Sequence, residues 1–233
     1  SFKSLFILLL AFGIIATFIT FLYYPNDLKQ SKKVSKISFK YNNKLVQIYL
    51  GSFFLSLILS IMLYVFPLIW RDLGTLNEDL FSTYLKIFLP AAIIIYPSIR
   101  FFEKIKKVNI AINLGWFFLI VAFLAYILLP SNIYSFYSLG ILFFLGSSVF
   151  QSLLPSLLSL NVSSDLRATG NGPFYIMNFL GHAVGSIFAG AIYMKDFYFG
   201  FDKNFLICII CILLIALWVS IGLPKYSIKE NSQ

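Results

Sequence analysis

Apolar runs recur along the chain, and the short stretches between them hold most of its charged and turn-forming residues. Each run is about 20 residues long, which is enough for a helix that crosses the hydrocarbon of a bilayer. The pattern predicts seven transmembrane helices, at 4–24, 47–70, 80–99, 109–129, 133–160, 172–194 and 204–223. Because these spans leave no room for a soluble domain, we expect an all-α integral membrane protein.

The composition also favours an integral membrane protein, and it removes the need for a nucleic-acid partner. Hydrophobic residues make up 60% of the 233 residues and charged residues only 12%, whereas soluble domains have about 25% charged residues. The net charge of +9 therefore needs no nucleic-acid partner, since lysines and arginines in loops on one side of a membrane account for it.

The positive charges gather in alternate loops, and this predicts an orientation. The poorer side has Lys3, Arg71, Lys195 and Lys203, and the richer side has Lys29, Lys32, Lys33, Lys36, Lys40, Lys44, Arg100, Lys104, Lys106, Lys107, Arg167, Lys225 and Lys229. Because loops rich in Lys and Arg stay in the cytoplasm, we expect the 25–46 loop and the tail to be cytoplasmic, in a protein of the plasma (inner) membrane.

The basic 25–46 loop is the longest connection, with one span before it and six after it. We interpret it as a linker: 1–24 would be the last helix of an N-terminal bundle, and 47–224 a C-terminal six-helix bundle with the tail 225–233. The alternative is an anchor loop that touches anionic lipid headgroups. Since an apolar run begins close behind Ser1, we expect the N-terminal half of the same protein as a partner.

The sixth span carries two stripes at helical spacing. Small residues at steps of four permit close approach of another helix, and we expect them to pack against the other half of the protein; they are Gly181, Gly185 and Ala189, with Gly190 beside them. Polar residues form the neighbouring stripe, namely Tyr175, Asn178, His182 and Ser186. Those polar side chains either line a solute pathway or hydrogen-bond a neighbouring helix, because lipid cannot satisfy them.

Other spans hold further candidates for the pathway. Gln151 lies in the fifth span, and Tyr64 ends a stripe of serines at steps of four in the second span, at 52, 56 and 60. Those serines can instead bond to their own backbone, which makes the stripe weak evidence. Lys86 is the charged residue inside a span, where its stem can snorkel to the interface or the ammonium can meet a solute.

The residues do not assemble into a catalytic or metal site. The single histidine, His182, and the Cys208/Cys211 pair in an apolar run offer no zinc set, and nucleophile and phosphate-binding motifs are missing. We therefore expect no enzyme and no cofactor. No Asp or Glu lies within a predicted span, so a carboxylate for proton coupling would have to lie elsewhere.

Several short motifs carry a resemblance. They are Leu154–Leu157 (LPSL), Arg167–Gly172 (RATGNG), Asn178–Gly181 (NFLG), then Gly185 and Ala189–Gly190. On these residues the chain resembles the C-terminal half of a major facilitator superfamily transporter, most like the YajR-like group of the drug:proton antiporter-1 branch. Ala168 and Asn178 depart from that group's pattern, which has Gly and Gln at these places.

The resemblance implies a fold and an activity. The seven spans would be helices six to twelve of the family fold, and Arg167, Thr169 and Gly172 would form a cytoplasmic loop motif. The protein would be a secondary transporter that exports small amphipathic solutes, with protons as the coupling ion. Uptake or uniport, as in another branch, and a membrane scaffold or sensor with the same fold are the alternatives.

Overall fold

The computed structural model describes residues 10–11, 13–15, 17–18, 42–73, 82–83, 85–91, 93–95, 108–130, 132–163, 166–193, 197–198 and 201–223. The chain divides into two compact units, Ser1–Phe39 and Lys40–Gln233. In the first unit, the described residues between 10 and 18 are helical and expose apolar side chains such as Leu10 and Phe18.

Among the described residues of the second unit, five helices are long and apolar enough to cross a membrane. They are α1 (Asn43–Asp72), α2 (Val108–Leu128), α3 (Ile133–Asn161), α4 (Arg167–Tyr193) and α5 (Lys203–Ile221). Each coincides with a predicted span, and the largest difference is the earlier start of α4. This confirms the expectation of a helical membrane protein. In lipid, the backbone N–H and C=O groups of an apolar segment form their hydrogen bonds within the helix.

The predicted span 4–24 lies largely outside the described residues, and the span 80–99 is described only in part. A shorter apolar helix, Leu85–Ile95, falls within the second of them. The count of seven spans, and their numbering as helices six to twelve, therefore stay predictions. Between α4 and α5 the chain forms an antiparallel ribbon of two short strands, β1 (Phe197–Tyr198) and β2 (Phe201–Asp202).

The helix ends follow from local sequence. At the start of α3, the Asn132 side chain accepts from the backbone N–H of Ser135 at 2.9 Å, and the Ser135 hydroxyl accepts from the Asn132 N–H at 3.1 Å. This reciprocal pair satisfies two N–H groups that have no partner inside the helix. At the other end of the chain, α5 stops at Gly222, whose φ of 76° suits glycine and turns the backbone away from the helix.

Close packing between α2 and α3 depends on two glycines. A Cβ added at Gly146 would lie 2.9 Å from the carbonyl oxygen of Gly115 and 3.0 Å from the amide nitrogen of Leu119. The two backbones therefore approach each other more closely than larger residues would permit, which is how helices gain packing contacts in lipid. Aromatic rings fill the space beside this contact, with the Trp116 and Phe150 centroids 4.3 Å apart.

The first helix, α1, is the central contact of the described bundle. It packs most extensively on α4 and also contacts α3 and α5. Toward α3 the contact is aromatic, since the ring of Phe66 lies 5.1 Å from that of Phe136 and 5.8 Å from that of Phe144. Toward α4 the contact is made by serines and glycines, and the candidate site lies along that seam.

Candidate functional site

Helix α4 has one buried face and two exposed flanks of different character. The buried residues are Gly170, Phe174, Gly181, Gly185, Ala189 and Ile192. At about 100° per residue, the four polar residues that we call the polar strip lie to one side of them: Tyr175, Asn178, His182 and Ser186. On the other side is an apolar flank of Ile176, Leu180, Val184 and Ile187, all exposed.

The buried face of α4 touches the backbone of α1. A Cβ added at Gly181 would overlap the Phe53 carbonyl oxygen, and a Cβ added at Gly185 would overlap that of Leu57. We expected this glycine ladder to contact the other half of the protein; in the structure it contacts α1, which belongs to the same compact unit. A small-residue stripe predicts that a helix comes close, but it holds no information on which helix.

Hydroxyl groups of α1 follow the seam and donate to backbone carbonyls of α4. The Tyr49 hydroxyl lies 3.1 Å from the Gly170 oxygen, the Ser52 hydroxyl 3.4 Å from the Phe174 oxygen, and the Ser60 hydroxyl 3.0 Å from the His182 oxygen. Ser52 and Ser60 are buried. The serine stripe, which the sequence left between pathway lining and self-bonding, thus serves the contact between two helices.

Two residues of the polar strip are tied to the same seam. The Asn178 amide donates to the Ser56 hydroxyl at 2.6 Å, and the Ser186 hydroxyl lies 2.6 Å from the Ser60 hydroxyl. Asn178 is half-buried and Ser186 is exposed. Each of these side chains thus hydrogen-bonds a neighbouring helix through one polar group and keeps further hydrogen-bonding capacity. Bonding to a neighbouring helix and lining a solute pathway, the two alternatives from the sequence, are therefore compatible.

His182 lies near the middle of α4, between these two tethered residues. Its side chain is half-exposed, and its imidazole makes no hydrogen bond within the described residues. Tyr175, one helical turn before Asn178, is 55% exposed. The strip therefore presents an imidazole and a phenol at the centre of a membrane helix, where an unpaired polar group is costly and usually faces protein or water.

Tyr64 of α1 borders the strip at its far end. Its ring lies 6.3 Å from that of Tyr193, and its hydroxyl is the atom nearest to Gly190, 3.9 Å from a Cβ added there. Tyr193 in turn bonds to the Asn204 side chain at 2.5 Å, which links α4 to α5. Tyr64 is 44% exposed, so it can contribute to the same surface as the strip.

Gln151 does not join this cluster. It lies on α3 and is exposed, and it forms no hydrogen bond with any residue that the structure describes. Its place on the solute pathway remains a prediction of its own, separate from the α1–α4 seam.

The residues expected to form a cytoplasmic loop motif are helical instead. Arg167, Thr169 and Gly172 belong to the first two turns of α4 and are exposed. The glycine-rich sequence suggested a turn, but two contacts hold it in a helix: Gly170 is buried against Val162, where an added Cβ would lie 2.9 Å from a methyl carbon, and the Gly170 carbonyl accepts the Tyr49 hydroxyl. Tertiary contacts of this kind override the weak helix propensity of glycine.

The charges of the α1–α4 pair lie only at the helix ends, at Lys44, Arg71, Asp72 and Arg167. Across the part of the chain that the structure describes, no group of His, Cys, Asp and Glu side chains could hold a metal ion. The arrangement can therefore bind through hydrogen bonds, through aromatic surface and through shape. Ser56 and Ser60 carry a sequence signal for this seam, because their spacing of four matches the spacing of the small residues on α4.

Comparison with known proteins agrees with this architecture. The family model described as Major Facilitator Superfamily matches residues 1–186, about four-fifths of the chain. A search among curated proteins gives no significant match. The matched region contains α1 to α3 and most of α4, and therefore nearly all of the seam and the polar strip. A match over this share of the chain establishes the family, and the chain belongs to the Major Facilitator Superfamily.

Proposed function

We propose that the protein is a secondary active transporter that works by alternating access and exports small amphipathic solutes in exchange for protons. The observation that carries the proposal is the polar strip of α4. Four polar side chains lie at the middle of a membrane helix, partly exposed, beside a tightly packed seam. Secondary transporters bind their solutes near the bilayer midplane, between bundles that rock around the site.

The apolar surroundings of the strip support its functional reading. The described parts of α2 and α3 contain no charged residue, and α1 carries charge only at its ends. In such helices polar groups that are not needed for folding tend to be kept for transport or ligand contact. The side chains of Asn178 and Ser186 each make one hydrogen bond to α1, and the imidazole of His182 makes none within the described residues. The strip therefore has hydrogen-bonding groups to offer a solute.

The domain organisation belongs to the same proposal. Residues 1–24 would be the last helix of an N-terminal bundle, 25–46 a cytoplasmic linker, 47–224 a six-helix bundle and 225–233 a cytoplasmic tail. In this arrangement the seven spans are helices six to twelve, the protein lies in the plasma (inner) membrane, and the N-terminal half of the same transporter completes the site. The positive-inside pattern supports this orientation.

Proton coupling and export are proposed from the resemblance of short motifs, such as Arg167–Gly172 and Asn178–Gly181, to the drug:proton antiporter-1 branch. Within the polar strip, the imidazole of His182 is the side chain that can take up a proton and become a cation. A carboxylate elsewhere in the full transporter would complete the proton path, because acidic side chains inside a membrane commonly mark such relays.

The test is solute flux in proteoliposomes that contain the full-length protein. An imposed pH gradient should drive movement of amphipathic solutes, and an ionophore that collapses the gradient should abolish it. Flux that is indifferent to the gradient would assign a uniporter in place of an antiporter. Absence of flux over a broad solute panel, with protein-free vesicles as the baseline, would favour a membrane scaffold or sensor.

A further inference from the structure

The hydroxyl protons of the seam can be assigned from the bonding pattern around Ser60. The Ser60 hydroxyl lies 3.0 Å from the His182 carbonyl oxygen and 2.6 Å from the Ser186 hydroxyl oxygen. A carbonyl can only accept, so the single proton of Ser60 is committed to His182. For both contacts to be hydrogen bonds, Ser186 has to be the donor in the second one, and its own proton is then committed to Ser60.

This assignment fixes what Ser186 can offer to a solute. With its proton used, the Ser186 oxygen keeps only lone pairs, and the residue is exposed on the strip side of α4. One turn before His182, one N–H of the Asn178 amide is used on Ser56 at 2.6 Å, which leaves the second N–H and both lone pairs of the carboxamide oxygen. Ser186 and Asn178 therefore both offer lone pairs on the open side of the strip.

We propose that Ser186 is a specificity-determining hydrogen-bond acceptor, and that the transported solute carries an N–H or O–H donor which Ser186 and the Asn178 carboxamide oxygen recognise. This inference rests on the proposed transport function and deepens it. The polar part of the amphipathic solute is then an ammonium, an amide or a hydroxyl group. A quaternary ammonium or a fully alkylated ether, which presents no donor, would leave these acceptors without partners at a cost in affinity.

Matched pairs of probes separate a need for a donor from a need for charge, and the Ser186 variants below separate it from a limit on probe size. One pair is 2-phenylethylammonium and its N,N,N-trimethyl derivative, which have the same charge and ring. The other is phenyl β-glucoside and its tetra-O-methyl derivative, which are both neutral. Binding of each probe to the full-length transporter in detergent is measured by ligand-induced thermal stabilisation, and flux is measured in proteoliposomes.

The donor-bearing member of at least one pair should bind about fivefold more tightly than its alkylated partner, as expected for one net hydrogen bond. The pair that shows the preference identifies the source of the donor as ammonium or hydroxyl. Ser186→Ala should remove the preference, and Ser186→Thr, which keeps the hydroxyl, should retain it. Val184→Ala, on the apolar flank of the same helix, should leave the preference as in the parent protein.

Three outcomes would overturn the inference. Equal binding of both members in each pair would refute recognition of a donor, although the transport proposal would stand if the probes were moved. An equal loss of affinity for donor and alkylated probes in Ser186→Ala would assign Ser186 a structural role only. Absence of binding and flux for every probe and for the broader solute panel would overturn the transport proposal itself, and this inference with it.

Discussion

Replacement of Gly185 by alanine tests the α1–α4 seam at one of its two closest contacts. The added methyl would overlap the Leu57 carbonyl oxygen and would lie 3.0 Å from the Cβ of Ser60 and 3.2 Å from the carbonyl carbon of Leu57. Backbone atoms cannot rotate away as the end of a flexible side chain can. The two helices must therefore separate locally, and the variant loses contacts that the glycine permits.

The size of the effect follows from the bonds that cross the seam beside Gly185. Separation weakens three of them, Ser60 to His182, Ser60 to Ser186 and Asn178 to Ser56. Interhelical hydrogen bonds in membranes contribute about 0.6 kcal/mol each, so the loss is about 2 kcal/mol before any change in van der Waals packing. A chain of this size loses about 2–4 °C in Tm per kcal/mol, which predicts a Tm about 4–8 °C below that of a control variant with the same gain in helix propensity from glycine to alanine.

Gly190→Ala is the matched control on the same helix. Among the described residues, only the Tyr64 hydroxyl lies within 4 Å of a Cβ added there, at 3.9 Å, so this variant gains the helix propensity of alanine, up to about 1 kcal/mol, without a close contact. Gly185→Ala has the same gain, and the difference between the two variants therefore isolates the packing term. Thermal unfolding of both proteins in one detergent, followed by size-exclusion fluorescence, gives that difference. Equal melting temperatures would refute the account of the seam.

Three further predictions concern neighbouring parts of the structure. Gly146→Ala should lower the melting temperature through the α2–α3 contact, because the new methyl meets the Gly115 carbonyl at 2.9 Å, whereas full stability would show that this contact is looser than described. His182→Ala should change the pH dependence of flux between about pH 5 and 8, where histidine titrates, and an unchanged profile would leave His182 as a packing residue. Tyr193→Phe should cost about 1 kcal/mol of stability through the lost bond to Asn204; the same loss should not appear in a double variant that already has Asn204→Leu, and an additive loss would contradict the pairing.

The helices could be predicted from sequence because hydrophobic length is a strong local signal. Each of α1 to α5 was located from its apolar run alone, since in lipid the backbone must satisfy itself within the helix. The start of α4 was misjudged for a related reason. Its glycine-rich first turns have low helix propensity, and the contacts that hold them helical come from Tyr49 and Val162, which a local pattern cannot reveal.

Which helices pack against each other was harder to predict from the sequence. The glycines at 181 and 185 predicted a close contact with the other half of the protein, and the serines at 52, 56 and 60 were left between pathway lining and bonds to their own backbone. The bonds between them join residues 122 positions apart, and nothing local requires that match. The small residues and the hydroxyls are two sides of one seam, because the close approach brings each hydroxyl within reach of a carbonyl.

The long interval in sequence between the two sides of the seam has a consequence for biogenesis. During synthesis α1 enters the bilayer well before α4 is made. The serine hydroxyls of α1 are therefore in lipid for a time without the α4 carbonyls that they later bond. Serine is suited to this delay, because its hydroxyl can bond to the carbonyl one turn earlier in its own helix until a better acceptor arrives. When α4 emerges, those hydroxyls can exchange to Phe174 and His182. Asparagine or aspartate at the same positions would have polar groups without hydrogen-bond partners in lipid, and would hinder the release of α1 into the bilayer.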